Sequence, residues 1–167
     1  GDRPPVMMAG DRSMTLVSDH REELDAVLRH DLAPPGVIAT CYYKDRFAVD
    51  SMRLGLPVPH STVATSVDDV RSVAQDLAYP VFVKPNQGSR GNFAEIVASD
   101  SALLDYARRI AAEFESFLIE PIIRAPEHRV LIHDGRTVFH AMKQAPSLLG
   151  AGKGSAGALV AALDGGL

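Results

Sequence analysis

Lys84 closes a strand-forming run, Val81-Phe82-Val83-Lys84-Pro85, and opens onto a glycine-bearing loop, Asn86-Gln87-Gly88-Ser89-Arg90-Gly91. An ammonium fixed at a strand end, beside a loop of exposed backbone N–H groups, can grip a polyanion from two sides. Gly88 and Gly91 can take positive φ and let backbone approach a ligand closely. Neither of the best-known phosphate loops is present. Gly150-Ala151-Gly152-Lys153-Gly154-Ser155 sets a glycine between lysine and serine, and Phe93-Ala94-Glu95-Ile96-Val97 reads as a strand where a dinucleotide loop would open a helix. The expected unit is therefore strand–loop–strand. Taken alone, such a loop is commonly a plain turn, and Lys84 has an ordinary use as an edge-strand lysine.

Three further groups carry candidate chemistry. Lys44 stands at the start of a helical stretch that runs to Gly55-Leu56-Pro57-Val58-Pro59. Glu120 closes the strand Phe117-Leu118-Ile119-Glu120, followed by Pro121-Ile122-Ile123. Glu127-His128-Arg129 opens another strand, and Asp134-Gly135 turns it back through Arg136 towards Lys143-Gln144-Ala145-Pro146. Strand alternation sets Arg129 on the face opposite Val130 and Ile132, consistent with a cleft and equally with solvent. Glu127 and Arg129 by themselves are also an ordinary solvated pair. His128, His133 and His140 are scattered along strands and are read as surface or satisfied groups, with no metal cage expected.

The elements that must position these residues follow from periodicity and punctuation. A strand is expected over 13–17, a helix from Ser18 or Asp19 to about 29, and a buried strand over 37–41 that includes Cys41. A helix over 44–54 ends at Gly55 and Pro57, and the stiff Pro57-Val58-Pro59 stretch is the best candidate for a lobe boundary. Strands are expected over 61–64, 81–84, 94–98, 117–120, 129–133 and 137–142. Helices are expected from a Ser66…Asp69 capping box to about 77 and over 101–114. A short helix over 158–163 follows a glycine-rich run over 149–157. Mixed helices and antiparallel hairpins define an α+β fold.

The bulk numbers exclude several classes. At 167 residues and 46% hydrophobic the chain can bury a core as one domain or two small lobes. Its net charge of −4 offers no basic footprint for nucleic acid or an anionic membrane. No apolar run spans a bilayer, and the opening Gly1-Asp2-Arg3-Pro4-Pro5 is not read as a signal peptide. A lone Cys41 permits no internal disulfide, and the cytoplasm is the expected location.

The ordered set of Lys44, Lys84 with its Gly88-Ser89-Arg90-Gly91 loop, Glu120, Glu127-His128-Arg129 and Lys143 resembles the ATP-grasp enzymes over residues 40–163. The resemblance implies an α+β fold of two lobes with mixed and antiparallel sheets that hold ATP between them. Residues 1–43 would be a remnant of the preceding region, 44–117 the small lobe with its linker helix, and 118–167 the start of the second lobe. Lys44 and Lys84 would contact the α- and β-phosphates, and Gly88 to Gly91 would close over them. Glu120 and Ile122 would be the hinge beside adenine, and Glu127 would accept from the ribose hydroxyls. Arg129 and Lys143 would be the catalytic cations facing the transferred phosphoryl group.

Within the superfamily the chain is most similar to amino-acid and peptide ligases of the glutathione, cyanophycin and glutamate-tail types. These are ADP-forming carboxylate–amine ligases that work through an acyl phosphate. The alternatives within reach are a carboxylase or purine-biosynthesis type of the same fold, and a non-catalytic nucleotide-binding module. ATP and Mg²⁺ are the implied cofactors, a small carboxylate and an amine the implied partners, and a homodimer the expected assembly. The chain departs from the pattern at Tyr43, where many relatives carry an acid, and at Lys143, where arginine is common. The metal-binding segment is also missing: Asp164 is the only acid after Asp134, and no asparagine follows Asn92. The expectation is that the chain stops before that segment and lacks turnover alone.

Overall fold

The computed structural model describes residues 3–144 together with Ser155 and Gly157. The expected helix over 158–163, Asp164 and most of the glycine-rich run lie outside the described residues. The chain divides into two compact units, residues 1–123 and 124–167.

In the first unit the elements run α1 (Asp11–Asp19), α2 (Arg21–Leu24), α3 (Pro35–Tyr42), α4 (Lys44–Arg53), β1 (Thr62–Ala64), α5 (Val67–Ala74), β2 (Val81–Pro85), β3 (Glu95–Val97), α6 (Asp100–Ile110) and β4 (Phe117–Pro121). The four strands form one antiparallel sheet in the order β1-β4-β2-β3. Its core face carries Val81, Val83, Phe117 and Ile119, all buried. Leu103, Tyr106, Ala107 and Ile110 of α6 recur at helical spacing and pack on that face with Val70 of α5. Each fully buried Leu, Ile or Val contributes about 1.5–3 kcal/mol.

The capping box expected ahead of α5 is present. The Asp69 N–H donates to the Ser66 hydroxyl at 3.1 Å, and Asp69 Oδ2 accepts from the Ser66 N–H at 3.1 Å. Asp69 Oδ2 also accepts from the Thr65 hydroxyl at 2.7 Å and the Thr65 N–H at 2.8 Å. Those bonds hold its carboxyl below the usual range, the Thr65 hydroxyl bond being the largest cause. The Pro57-Val58-Pro59 stretch lies inside this unit, between α4 and β1.

Two expected strands are helices. Residues 13–17 fall in α1, where the Thr15 hydroxyl donates back to the Asp11 carbonyl at 3.1 Å, and residues 37–41 fall in α3. Apolar runs of five residues fit a buried strand and a helix turn equally by period. Pro35 is a first-turn proline that starts α3. Cys41 is consequently exposed. The expected long helix after Asp19 is reduced to the one turn of α2, and the Arg21 guanidinium donates to the Leu32 and Ala33 carbonyls at 2.8 and 2.7 Å.

The second unit is built on one antiparallel hairpin, β5 (Glu127–His133) and β6 (Arg136–Lys143). Asp134 and Gly135 turn it with φ of 49° and 72°, the two left-handed positions that an Asp-Gly pair tolerates. Among the described residues no helix is long and apolar enough to cross a membrane.

Candidate functional site

The sheet of the first unit sorts the candidate residues onto its second face. Directly opposed residues share a face, and β2 pairs with β4 as Phe82↔Glu120 and Lys84↔Leu118. Phe82, Lys84, Leu118 and Glu120 therefore face away from the α5–α6 layer. Lys84 and Glu120 are diagonal neighbours there, with Lys84 Nζ 2.7 Å from Glu120 Oε2. The Glu120 side chain is only 8% exposed and that of Lys84 24%. The Ser61 hydroxyl, just before β1, donates to Glu120 Oε1 at 2.8 Å. Both carboxylate oxygens thus have partners, as burial of a charge requires. Sequence reasoning had singled out Lys84 and Glu120 separately and had missed Ser61. Register alone could have paired the first two, but the reach of Ser61 depends on how the chain enters β1.

Lys44 reaches the same region from the N-terminus of α4. Its ammonium donates to the Gly88 carbonyl at 2.9 Å and to the Asn86 carbonyl at 3.3 Å. Burial is the main cause that lowers its pKa, and the charge of Lys84 lowers it further, while Asp11 and Glu120 push the other way. The charges of Lys44, held at the glycine loop, and of Lys84, paired with Glu120, therefore act on one another. Asn86 makes that arrangement rigid. It is 6% exposed, its Oδ1 accepts from the Asp45 N–H at 3.1 Å, and its Nδ2 donates to the Ser116 hydroxyl at 3.1 Å. Its backbone carbonyl also accepts from the Lys44 N–H at 3.1 Å. One buried asparagine ties the start of α4 to β2 and to the approach of β4.

The loop over 86–94 is held in left-handed backbone at several points, with φ of 96° at Gly88 and 74° at Gly91. Arg90 and Phe93 also have positive φ, 62° and 57°. That conformation is unusual for residues with a side chain and is held from below. The Tyr106 hydroxyl donates to the Phe93 carbonyl at 2.9 Å, and the Phe93 ring meets Phe114 edge-on. Burial raises the Tyr106 pKa, so its hydroxyl keeps the proton it donates. Gly88, Ser89, Arg90 and Gly91 are all exposed above this anchor, and Ile122 follows β4 half-buried.

In the second unit the pairing Glu127↔Lys143 and Arg129↔Ala141 puts Glu127, Arg129 and Lys143 on one face of the hairpin. Lys143 Nζ lies 3.3 Å from Glu127 Oε2, and Arg129 Nε donates to Glu127 Oε1 at 3.4 Å. The bond from Lys143 is the largest cause holding the Glu127 carboxyl below its usual range. All three side chains are at least half exposed, so this trio adds little to stability. His128 and His140 lie on the other face, with Nδ1 and Nε2 2.8 Å apart. Among the described residues no group of three or more His, Cys, Asp or Glu is placed to hold a metal ion.

Comparison with known proteins bears on the fold. The fold is that of the ATP-grasp enzymes. A D-alanine–D-alanine ligase from Bacillus anthracis superposes with a TM-score of 0.69 at 18% identity, over 90% of this chain and 50% of that one. The biotin carboxylase domain of 2-oxoglutarate carboxylase from Hydrogenobacter thermophilus, solved with MgADP, ADP and bicarbonate, gives 0.59 at 19% identity, over 75% and 29%. By sequence, the family model for the carbamoyl-phosphate synthase L chain, ATP binding domain, matches residues 44–131, from the first candidate lysine to the middle of β5. The chain belongs to that family. The large chain of carbamoyl phosphate synthase from Micrococcus luteus is 38% identical over 72 residues, which is 43% of this chain and only 6% of that protein.

Proposed function

We propose that the chain is the nucleotide-binding part of an ADP-forming ligase that activates a carboxylate as an acyl phosphate for attack by an amine. The observation that carries this reading is the Lys44 ammonium donating to the Gly88 carbonyl of the glycine loop at 2.9 Å, with Lys84 on the neighbouring strand β2 close enough for its charge to lower the Lys44 pKa. Two ammonium groups and a loop of exposed backbone suit a triphosphate, whose transfer depends mainly on positioned positive charge. Lys44, Lys84 and the Gly88, Ser89, Arg90 and Gly91 loop would hold the phosphates. Glu120 and Ile122 would face adenine. Glu127, an ionised acceptor-only carboxylate, would take the ribose hydroxyls, and Arg129 and Lys143 would face the phosphoryl group in transfer.

In the reaction a substrate carboxylate oxygen attacks the γ-phosphorus and ADP leaves. The amine then attacks the acyl carbon, inorganic phosphate leaves, and the amine gives up a proton. ATP fits the residues described above. Magnesium would neutralise charge on the phosphates; among the described residues no group of three or more His, Cys, Asp or Glu is placed to hold a metal ion.

A second reading, in which bicarbonate is the carboxylate activated, is favoured by the family match and by the carbamoyl phosphate synthase relative. Positional isotope exchange in γ-labelled ATP, measured on the full-length protein, tests both. Exchange that depends on an organic carboxylate supports the ligase reading, and exchange that depends on bicarbonate supports the second. ATP turnover with no exchange under either condition refutes an acyl-phosphate route.

A further inference from the structure

The β5–β6 hairpin carries a second cluster, on the face opposite Glu127, Arg129 and Lys143. His128 pairs in register with Met142, and Val130 with His140, so His128, His140 and Met142 share that face. The two histidines stand twelve residues apart in the sequence. One diagonal step across the ladder brings His128 Nδ1 to 2.8 Å from His140 Nε2, and both side chains are exposed. Neither ring makes another hydrogen bond or ion pair among the described residues.

A neutral imidazole pair at this distance holds one proton between two nitrogens, one donating and the other accepting. The outer nitrogen of each ring has no described partner, so nothing in the hairpin fixes either tautomer. Both inner nitrogens can therefore present lone pairs to a common ligand. An ion bonded to two imidazole nitrogens at about 2.0–2.1 Å sets them about 2.9 Å apart when its bonds meet at right angles, and about 3.4 Å apart at the tetrahedral angle. The observed 2.8 Å fits adjacent positions of a tetragonal ion, the geometry of Cu²⁺ and Ni²⁺. Of these, Cu²⁺ binds nitrogen sites more tightly, and Met142 places beside the pair a soft thioether of the kind copper accepts.

We propose that His128 and His140 form a copper(II) site that bridges β5 and β6. The ion takes the place of the proton between Nδ1 of His128 and Nε2 of His140. That proton moves to the outer nitrogen of its own ring, so both imidazoles stay neutral and nothing is oxidised or reduced. Water fills the remaining positions of the ion on this exposed face. The site uses none of the residues assigned to the nucleotide and stands or falls independently of that reading.

The test is calorimetric titration of Cu²⁺ into the full chain, with electron spin-echo spectroscopy of the bound ion. Every protein titrated carries Cys41→Ser, which removes an exposed thiol that would compete for copper. The parent should show one saturable site with two equatorial imidazoles in its spectrum. His140→Asn and His128→Gln should each weaken binding by about tenfold or more, because the second imidazole is delivered at the effective concentration the hairpin sets. His133→Gln, at another exposed histidine of the hairpin, should leave the affinity unchanged. Equal affinity in the parent and in His140→Asn, or fewer than two imidazoles on the ion in the parent, overturns the proposal. So does a loss in His133→Gln as large as that in His140→Asn.

Discussion

Removing the Lys84 ammonium should destabilise the chain through the charge it leaves behind. In Lys84→Met the Glu120 carboxylate would stay in a site where its side chain is 8% exposed and would keep only the Ser61 hydroxyl at 2.8 Å. Breaking a fully buried ion pair from one side costs about 3–5 kcal/mol. Lys84 is about a quarter exposed, and water reaching Glu120 in the variant offsets part of that, so the expected loss is about 2–3 kcal/mol. The thermal midpoint of a chain this size should fall by roughly 4–12 °C. Adding Glu120→Gln removes the orphaned charge while its amide oxygen keeps the Ser61 contact. The double variant should therefore recover most of the loss, with a coupling energy of at least about 1 kcal/mol in the cycle. Urea unfolding of the four proteins measures this. Additive single effects, or a Lys84→Met cost below about 0.5 kcal/mol, would mean that Lys84 and Glu120 are not electrostatically joined in solution.

Asn86→Ala removes both side-chain bonds that tie α4 to β2 and the approach of β4, and should cost about 2 kcal/mol by urea unfolding. Ser66→Ala removes the α5 cap and should cost about 1 kcal/mol at neutral pH by the same measurement. Asp69 titrates below its unfolded value, so the stability it contributes is present above the ordinary carboxylate range and lost as pH falls through its folded pKa. Thr65→Val should move its NMR-detected titration midpoint back upward. The depressed Lys44 pKa should rise when phosphate binds, so nucleotide binding takes up a proton at alkaline pH and weakens as pH rises through the free-state value. Calorimetry in buffers of different ionisation enthalpy reads that uptake, which should vanish in Lys44→Met.

Much of the first unit was legible in the sequence because its signals are local. The Ser66…Asp69 box and the helical spacing of Leu103, Ala107 and Ile110 each fix an element from within a few residues. The Asp134-Gly135 turn likewise sets the β5–β6 hairpin. Residues 13–17 and 37–41 are helical where strands are expected because five-residue apolar runs carry no decisive period, and because a proline such as Pro35 marks a start as readily as a stop. In the candidate site the individual lysines and acids stood out, but their partnerships did not. The Ser61–Glu120 bond spans 59 residues and the Lys44–Gly88 bond 44, distances that sequence spacing cannot bridge.

The most direct test of the central claim is calorimetric titration of ATP into the full chain and into Lys44→Met, with circular dichroism confirming that both are folded. The account predicts saturable binding to the unmodified chain that weakens by about tenfold or more once the ammonium at Gly88 is gone. Equal affinity in the two proteins, or no binding to the folded unmodified chain, would contradict it.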